Sequence, residues 1–198
     1  MAERSSPLAG HWKPGFLGPA SGADAWGVSL KEQRPASLVQ VAGWPSSAGA
    51  LTDRLREATG VAPPPPGKCA SIDDLALLWT APGRWLIVSE TRSDLAETLT
   101  AAIDVGIGTV SDLGHARCVL RLSGPMSPSV LAKGLPIDLH LRAFPVDGVV
   151  QGSIHHVGVT VHRAAADAFD LYVFRGFAVS LLEWLTDAAT EYGCAVGD

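Results

Sequence analysis

The chain has 198 residues, of which 47% are hydrophobic and 18% are charged, and its formal net charge is −5. This length allows a sizeable core in one large domain or two small ones, and the scattered basic residues exclude the concentrated positive patch of a nucleic-acid-binding protein. No apolar run reaches the length of a membrane span, so the apolar surplus predicts a surface that is covered by other subunits.

The N-terminal sequence and the cysteines predict the cellular compartment. MAERSSPLAG lacks the apolar core of a signal peptide, which predicts a cytoplasmic protein. Cys69, Cys118 and Cys194 are far apart, odd in number and outside any CxxC motif. We therefore expect no disulfide framework.

Residues 1–35 are predicted to form an extended N-terminal arm. The segment is rich in Gly, Pro, Ser and Ala, yet it contains Trp12, Phe16 and Trp26. Solvated tails are poor in aromatic residues, so we expect the arm to dock on this chain or on a neighbouring subunit. The alternative is a disordered start with incidental aromatics. With Leu8, the three aromatic residues are candidate subunit-interface residues.

Residues 36–106 are predicted to form the first of two half-units. Alternation over 37–43 predicts a strand, and the apolar spacing of the following segment predicts an amphipathic helix that ends at Gly60. The prolines at 63–66 predict a stiff connector. A second amphipathic helix is predicted from the cap residue Ser93.

Between the connector and this second helix, LALLWTAPGRWLIVSE at 75–90 predicts a hairpin. Pro82-Gly83 fits a type II turn, which matches strand twist less well than primed turns, so the strands can splay. We interpret Trp79 and Trp85, beside the turn, mainly as core residues that fill this gap. In the alternative interpretation they present an aromatic edge to a partner, and both are therefore candidate interface residues.

Residues 107–198 are predicted to repeat the order strand–helix–strand–strand–helix. The predicted strands are 110–113, 116–122, 155–163 and 169–174. A short helix is predicted from the cap Ser127, and a last helix, over about 176–192, places Phe177 on its apolar face. Two such half-units around a shared, antiparallel-leaning sheet predict an α+β fold in a single domain over 36–198.

No metal or dinucleotide site is predicted. The six histidines lack the spacing of a zinc or iron site, including His140 near Asp138. Gly106 and Gly108 follow a helix rather than a strand and lack the third glycine of a dinucleotide loop.

Four polar residues remain of interest. His115 and Arg117 form a polar pair near the junction of the halves. Arg121 and Arg175 lie in apolar strand contexts, so we expect each to need a buried or interfacial partner. No catalytic constellation can be assembled from the spacing of these residues.

Six segments carry a family resemblance. They are SPLAG at 6–10, GVSLKE at 27–32, WTAPGRWLIV at 79–88, VSDLGHARCVLRLSGP at 110–125, LAKGLPIDLHLRAFP at 131–145 and LYVFRGFAVSLLEWL at 171–185. Taken in this order over nearly the whole chain, they resemble the gamma subunit family of heterotetrameric sarcosine oxidase. One departure is Gly114, where the family more often has a serine.

The resemblance implies a fold similar to the folate-binding aminomethyltransferase type (the glycine-cleavage T protein). Such oxidases convert sarcosine and oxygen to glycine and hydrogen peroxide, and the one-carbon unit leaves as methylenetetrahydrofolate or formaldehyde. The resemblance places NAD and tetrahydrofolate in the alpha subunit, FAD and covalent FMN in beta, and zinc in delta. It implies a structural gamma chain with no cofactor, metal or catalytic residue, bound to alpha, beta and delta, chiefly to alpha.

Two alternatives remain open. The chain could be a gamma-like subunit of a related complex that acts on another N-methyl amino acid, such as N-methylglutamate. It could also be a free-standing folate-binding protein, which would need an acidic residue placed for the pterin. We cannot single out such a residue in the sequence.

Overall fold

The computed structural model describes residues 5–19 and 26–197. The chain divides into two compact units: the inserted unit, residues 34–115, and the flanking unit, residues 1–33 with 116–198. No described helix has the length and apolarity needed to cross a bilayer.

Along the described residues, groups of strands are separated by single short helices. The strands are β1 (Gly15–Leu17), β2 (Val28–Gln33), β3 (Ser37–Gly43), β4 (Cys69–Ile72), β5 (Leu75–Ala81), β6 (Arg84–Ser89), β7 (Gly108–Asp112), β8 (Arg117–Ser123), β9 (Val149–Ile154), β10 (Val157–Ala165), β11 (Ala168–Phe174) and β12 (Cys194–Val196). The helices are α1 (Ala48–Thr59), α2 (Leu95–Ala102), α3 (Ser127–Ala132) and α4 (Ala178–Thr190), with single 3₁₀ turns at Pro45–Ser47 and Arg175–Phe177.

The inserted unit is an antiparallel five-stranded sheet, in the order β4-β5-β6-β3-β7, with two helices. Its core joins Leu51 and Leu55 of α1 to Leu95 and Leu99 of α2, and each pair is spaced by one helical turn. Helix α1 ends as predicted at Gly60, whose φ of 75° supplies the left-handed conformation that terminates helices.

The flanking unit is a seven-stranded sheet in the order β1-β12-β2-β8-β11-β10-β9. Its neighbouring strands are antiparallel except β12 and β2, which run parallel. Helices α3 and α4 contribute Val130, Leu131, Leu181 and Leu185 to its core. Strand β2 therefore lies inside the sheet, with β12 on one side and β8 on the other.

The α+β class is confirmed, but the single shared sheet is wrong because the chain forms two sheets. The predicted strand at 110–113 corresponds to β7, which hydrogen-bonds to β3 of the inserted unit. The division between the units therefore falls after His115 instead of after residue 106. The last residues of the predicted arm, 28–33, are strand β2 of the flanking sheet.

Two predicted helix caps are displaced. Helix α2 begins at Leu95, so its cap position is Asp94 instead of Ser93. Helix α3 begins at Ser127 itself, and the hydroxyl of this residue donates a hydrogen bond to the Asp167 carbonyl, 2.9 Å away. The serine thus ties a loop to the helix instead of capping it.

Candidate functional site

The described part of the predicted N-terminal arm docks on the chain's own flanking unit, whereas residues 1–4 and 20–25 of that arm lie outside the described residues. Leu8 is fully buried in the core of that unit, and the Ser6 hydroxyl contacts both carboxylate oxygens of Glu32, at 2.7 and 2.9 Å. The Trp12 indole N–H donates to the Gly197 carbonyl over 2.9 Å. Leu8 is therefore inaccessible to another subunit, and the indole of Trp12 is hydrogen-bonded within this chain.

Phe16 and Trp26 form an aromatic stack in which Phe16 is exposed and Trp26 is partly buried. Their ring centroids are 4.4 Å apart at an interplanar angle of 12°. Phe16 lies in β1, an edge strand of the flanking sheet, and its side chain is 68% exposed. Edge strands and exposed aromatics are typical of association surfaces. Phe16 is the most exposed of the six predicted interface residues.

The two hairpin tryptophans face the core of the inserted unit. Trp79 and Trp85 are directly opposite each other across β5 and β6, and the strand pairing becomes irregular only between Trp79 and Ala81. Trp85 is 7% exposed, and its indole N–H donates to the Pro64 carbonyl over 3.3 Å. Trp79 packs against the same core and is partly buried. This geometry favours the core interpretation of both residues.

The hairpin also explains the proline connector. Because prolines lack an N–H, the run at 63–66 keeps its carbonyls available, and the Pro64 carbonyl satisfies the buried indole of Trp85. At the turn, Gly83 adopts a φ of 64°, the conformation expected for the third residue of a type II turn.

Arg121 has the buried partner that its apolar context predicts. Its Nε and Nη2 atoms contact the two Asp170 carboxylate oxygens at 2.6 and 2.7 Å. The pair lies side by side on β8 and β11, with Asp170 opposite His162 on β10. Burial alone would raise the pKa of Asp170, but hydrogen bonds from His162 and Arg121 bring the pKa below its ordinary value.

Arg117 lies over the ring of Phe174, with its guanidinium carbon 3.6 Å from the ring centroid. The two residues are paired across β8 and β11, and Phe174 is 50% exposed. Desolvation lowers the pKa of Arg117. The guanidinium of Arg175, the next residue along the chain from Phe174, donates to the Ser5 carbonyl over 2.9 Å.

The boundary between the units separates His115 from Arg117. His115 is exposed and belongs to the inserted unit, whereas Arg117 begins β8 of the flanking unit. The polar pair of the sequence interpretation is therefore not a site within either unit.

Phe177 lies outside the helix that was predicted to bury it. Arg175–Phe177 form a 3₁₀ turn, and α4 begins at Ala178, so Phe177 is off the helical stripe and 54% exposed. The sequence signal for this exposure is the dipeptide Arg175-Gly176 between two phenylalanines, which marks a strand–helix junction.

Arg163 is a buried cation that the sequence interpretation missed. The side chain is 2% exposed, and Nη1 donates to the carbonyls of Leu139 and Phe144 at 2.8 and 2.6 Å. Its Nε donates to the Ala166 carbonyl over 3.0 Å. Arg163 thereby fixes the loop before β9, which is a structural role.

A depression of about 880 Å³ lies in the inserted unit between α1, α2 and β7. Its charged lining residues are engaged locally: Arg54 pairs with Glu57 at 3.0 Å, and Asp104 accepts a bond from the Gly106 amide. Among residues 5–19 and 26–197, no three His, Cys, Asp or Glu side chains are close enough to hold a metal ion. The charged side chains that line this depression are thus engaged by neighbouring residues of the same unit.

Comparisons with known proteins identify a family that this chain matches over most of its length. The model of the Sarcosine oxidase, gamma subunit family matches residues 45–191. The sarcosine oxidase subunit gamma of Corynebacterium sp. (strain P-1) is 35% identical over 175 residues, which is 87% of this chain and 85% of the relative. The sarcosine oxidase subunit gamma of an Arthrobacter sp. is 35% identical over 174 residues, with the same coverage.

Two solved structures share the fold. A chain of the heterotetrameric sarcosine oxidase from Corynebacterium sp. U-96, in complex with pyrrole 2-carboxylate, superposes with a TM-score of 0.81 at 30% identity over 96% of both chains. The glycine cleavage system aminomethyltransferase T from Bartonella henselae superposes with a TM-score of 0.63 at 19% identity, covering 86% of this chain and 48% of the enzyme. The predicted likeness to the aminomethyltransferase fold is therefore confirmed. From the family match and the relatives above 30% identity, we conclude that the chain belongs to the sarcosine oxidase gamma subunit family.

Proposed function

We propose that this chain is the gamma subunit of a heterotetrameric sarcosine oxidase and that it supports assembly instead of catalysis. The observation that carries the proposal is the superposition on a chain of such an oxidase over 96% of both chains. The complex would convert sarcosine and oxygen to glycine and hydrogen peroxide, and the one-carbon unit would leave as methylenetetrahydrofolate or formaldehyde.

The side-chain chemistry supports an assembly role. The buried charged groups of the flanking unit serve structure: Asp170 binds Arg121, and Arg163 binds backbone carbonyls. In contrast, large apolar side chains such as Phe16, Phe174 and Phe177 are at least half exposed. Exposed aromatic side chains are enriched at protein–protein interfaces.

The proposal includes the partners and cofactors. The chain would bind alpha, beta and delta subunits, chiefly alpha, and hold no cofactor itself. NAD and tetrahydrofolate would reside in alpha, FAD and covalent FMN in beta, and zinc in delta. A cytoplasmic location is part of the proposal and is supported by Cys69, Cys118 and Cys194, which form no disulfide bond among the described residues, as is typical of reducing compartments.

Within this proposal, only two of the six predicted interface residues are kept as contacts with another subunit. Leu8 and Trp85 are buried in the chain's own cores, and Trp12 and Trp79 pack against those cores. The stacked pair Phe16 and Trp26 remains the proposed contact of the N-terminal segment with another subunit.

A gentle purification of the tagged chain from its native host tests the function. We expect a yellow complex of four different chains with sarcosine-dependent peroxide production. A colourless single species that binds tetrahydrofolate would contradict the proposal and favour the free-standing folate-binding protein. A complex that oxidises N-methylglutamate but not sarcosine would instead assign the chain to a related oxidase.

A further inference from the structure

We propose that Arg117, Phe174 and Phe177 form a docking surface, the Arg–Phe patch, for an acidic segment of another subunit of the oxidase. The inference rests on the proposed function and names one surface that assembly would use. Its occupant is a partner carboxylate, from Asp or Glu, flanked by an apolar side chain.

The patch lies at one end of the flanking sheet. Arg117 is the first residue of β8, Phe174 is the last residue of β11, and the two are opposite each other in the strand register. The 3₁₀ turn that follows places Phe177 just before α4. Phe174 and Phe177 are 50% and 54% exposed, so the patch presents two aromatic side chains to its surroundings.

One donor of the patch's cation has no acceptor in the part of the chain that the structure describes. The Nε atom of Arg117 is shielded from solvent and makes no hydrogen bond there. Other arginines of the flanking unit have acceptors: Arg121 binds Asp170, Arg163 binds three carbonyls, and Arg175 binds the Ser5 carbonyl. A partly desolvated guanidinium gains most from an ionised acceptor.

The ring of Phe174 prepares Arg117 for such an acceptor. The guanidinium lies 3.6 Å from the ring centroid, which fixes its plane before a partner arrives. A planar fork that is already oriented loses less conformational freedom when a carboxylate binds it. Arginine and aromatic side chains at the centre of a contact are typical interface hot spots.

The positive charge of the patch favours a partner segment that contains a carboxylate over one that is entirely apolar. The chain has a formal net charge of −5, but the patch contains Arg117 and is flanked by Arg175. Glu32, on the neighbouring strand β2, already accepts hydrogen bonds from Ser6. A partner segment that supplies a carboxylate would neutralise Arg117, and its apolar neighbour would cover the two phenylalanine rings.

The test is co-expression of the four oxidase chains with a tag on this chain, followed by quantification of the partner chains that copurify. We expect Arg117→Glu to lower the copurifying chains about tenfold or more, which corresponds to roughly 1.4 kcal/mol. Phe177→Asp is a second variant, for which we expect the same loss of copurifying chains. Phe177 is half exposed and lies in the turn before α4, so we expect this substitution to leave the core unchanged. The matched control is Leu141→Ala with Arg142→Glu, an exposed apolar–arginine pair of the same unit.

Each outcome decides between the patch and the proposed function. If the wild-type chain purifies without partners, the proposed function fails. If the wild-type chain assembles and Phe177→Asp assembles equally well, the patch is wrong and the proposed function stands. An equal loss in the control variant also contradicts the patch. Capture of a differently tagged second copy by the wild-type chain, abolished by Arg117→Glu, would replace the acidic partner with a self-interface.

Discussion

The two units of the chain differ in how they are built. The inserted unit comes from one continuous segment, and its first and last strands, β3 and β7, pair with each other. The flanking unit combines segments from before and after it, and its strand β2 pairs with β12, more than 150 residues away in sequence. The first unit can close by itself, whereas the second depends on strand pairs that no local pattern specifies.

The units also differ in exposed apolar surface. Among the described residues, six large apolar side chains of the flanking unit are exposed against three in the inserted unit. The six are Phe16, Leu17, Leu141, Val146, Phe174 and Phe177, and the three are Trp44, Ile72 and Val105. The flanking unit thus has more exposed large apolar side chains, which is consistent with our proposal that it contains an association surface.

The largest effect is expected from taking the units apart. A fragment of residues 34–115 should fold alone, because its sheet and core are complete within that segment. A fragment of residues 116–198 should stay unfolded, because it lacks β2 between β12 and β8. Circular dichroism and amide NMR dispersion measure whether each of the two fragments is folded. Restoration of the second fragment by the peptide 1–33 is the control, and a folded 116–198 fragment alone would refute the distinction.

Within the inserted unit, Trp85→Ala should cost about 3–5 kcal/mol of unfolding free energy, because the side chain is buried and its indole is hydrogen-bonded. Trp79→Ala, at the paired position, should cost less because Trp79 is only partly buried. Urea unfolding measures both. Unchanged stability with lost complex assembly would show instead that the hairpin faces a partner.

In the flanking unit, Asp170→Asn should cost about 1–3 kcal/mol, because it removes a charged partner from Arg121. The Asp170 pKa is lowered in the folded chain, so its contribution to stability is present above the unfolded pKa near 4 and is lost as the pH falls through the folded value. Urea midpoints from pH 7 to acid pH should therefore fall less steeply in Asp170→Asn than in the wild type. If the urea midpoints of the wild type and of Asp170→Asn fell equally with pH, the lowered pKa of Asp170 would be contradicted.

The smallest effect is expected at Asp74 of the inserted unit. Hydrogen bonds from Ser89 and Thr91 lower its pKa to about 2. Because the folded pKa is depressed, its stabilisation is present above about pH 4 and is lost between about pH 4 and 2. At pH 7, Asp74→Asn should lower the urea midpoint of the inserted unit slightly. It should reduce the pH dependence of that midpoint only between about pH 4 and 2. If the variant's midpoint differed from the wild type's by the same amount at pH 7 and at about pH 2, the lowered pKa of Asp74 would be contradicted.

The sequence predicts local structure better than distant pairing. Alternation identifies β3 with its observed bounds, and the two apolar runs around Pro82-Gly83 identify the β5–β6 hairpin. Strand β12 has three residues, and its parallel pairing to β2 leaves no local signal. Strand β9 contains Gln151 and Gly152, which disguise its alternation.

The candidate surface shows the same limit. The aromatic residues of the N-terminal segment are visible in the sequence, but only the fold reveals that Leu8 is buried and Phe16 exposed. Arg117 and Phe174 are 57 positions apart, and their contact depends on the register of β8 against β11. The bulk of a side chain can be read from sequence, whereas the face on which it lies depends on tertiary packing.

The parallel pairing of β2 with β12 has a consequence for the order of synthesis. The inserted unit is complete once residue 115 has left the ribosome, whereas the flanking sheet must wait for Val196. Until then, β2 can pair with β8 but lacks its second neighbour, and β1 lacks the strand with which it pairs. The unit richer in exposed aromatics is therefore finished last, so a nascent chain cannot display its full association surface before the rest of the protein has been made.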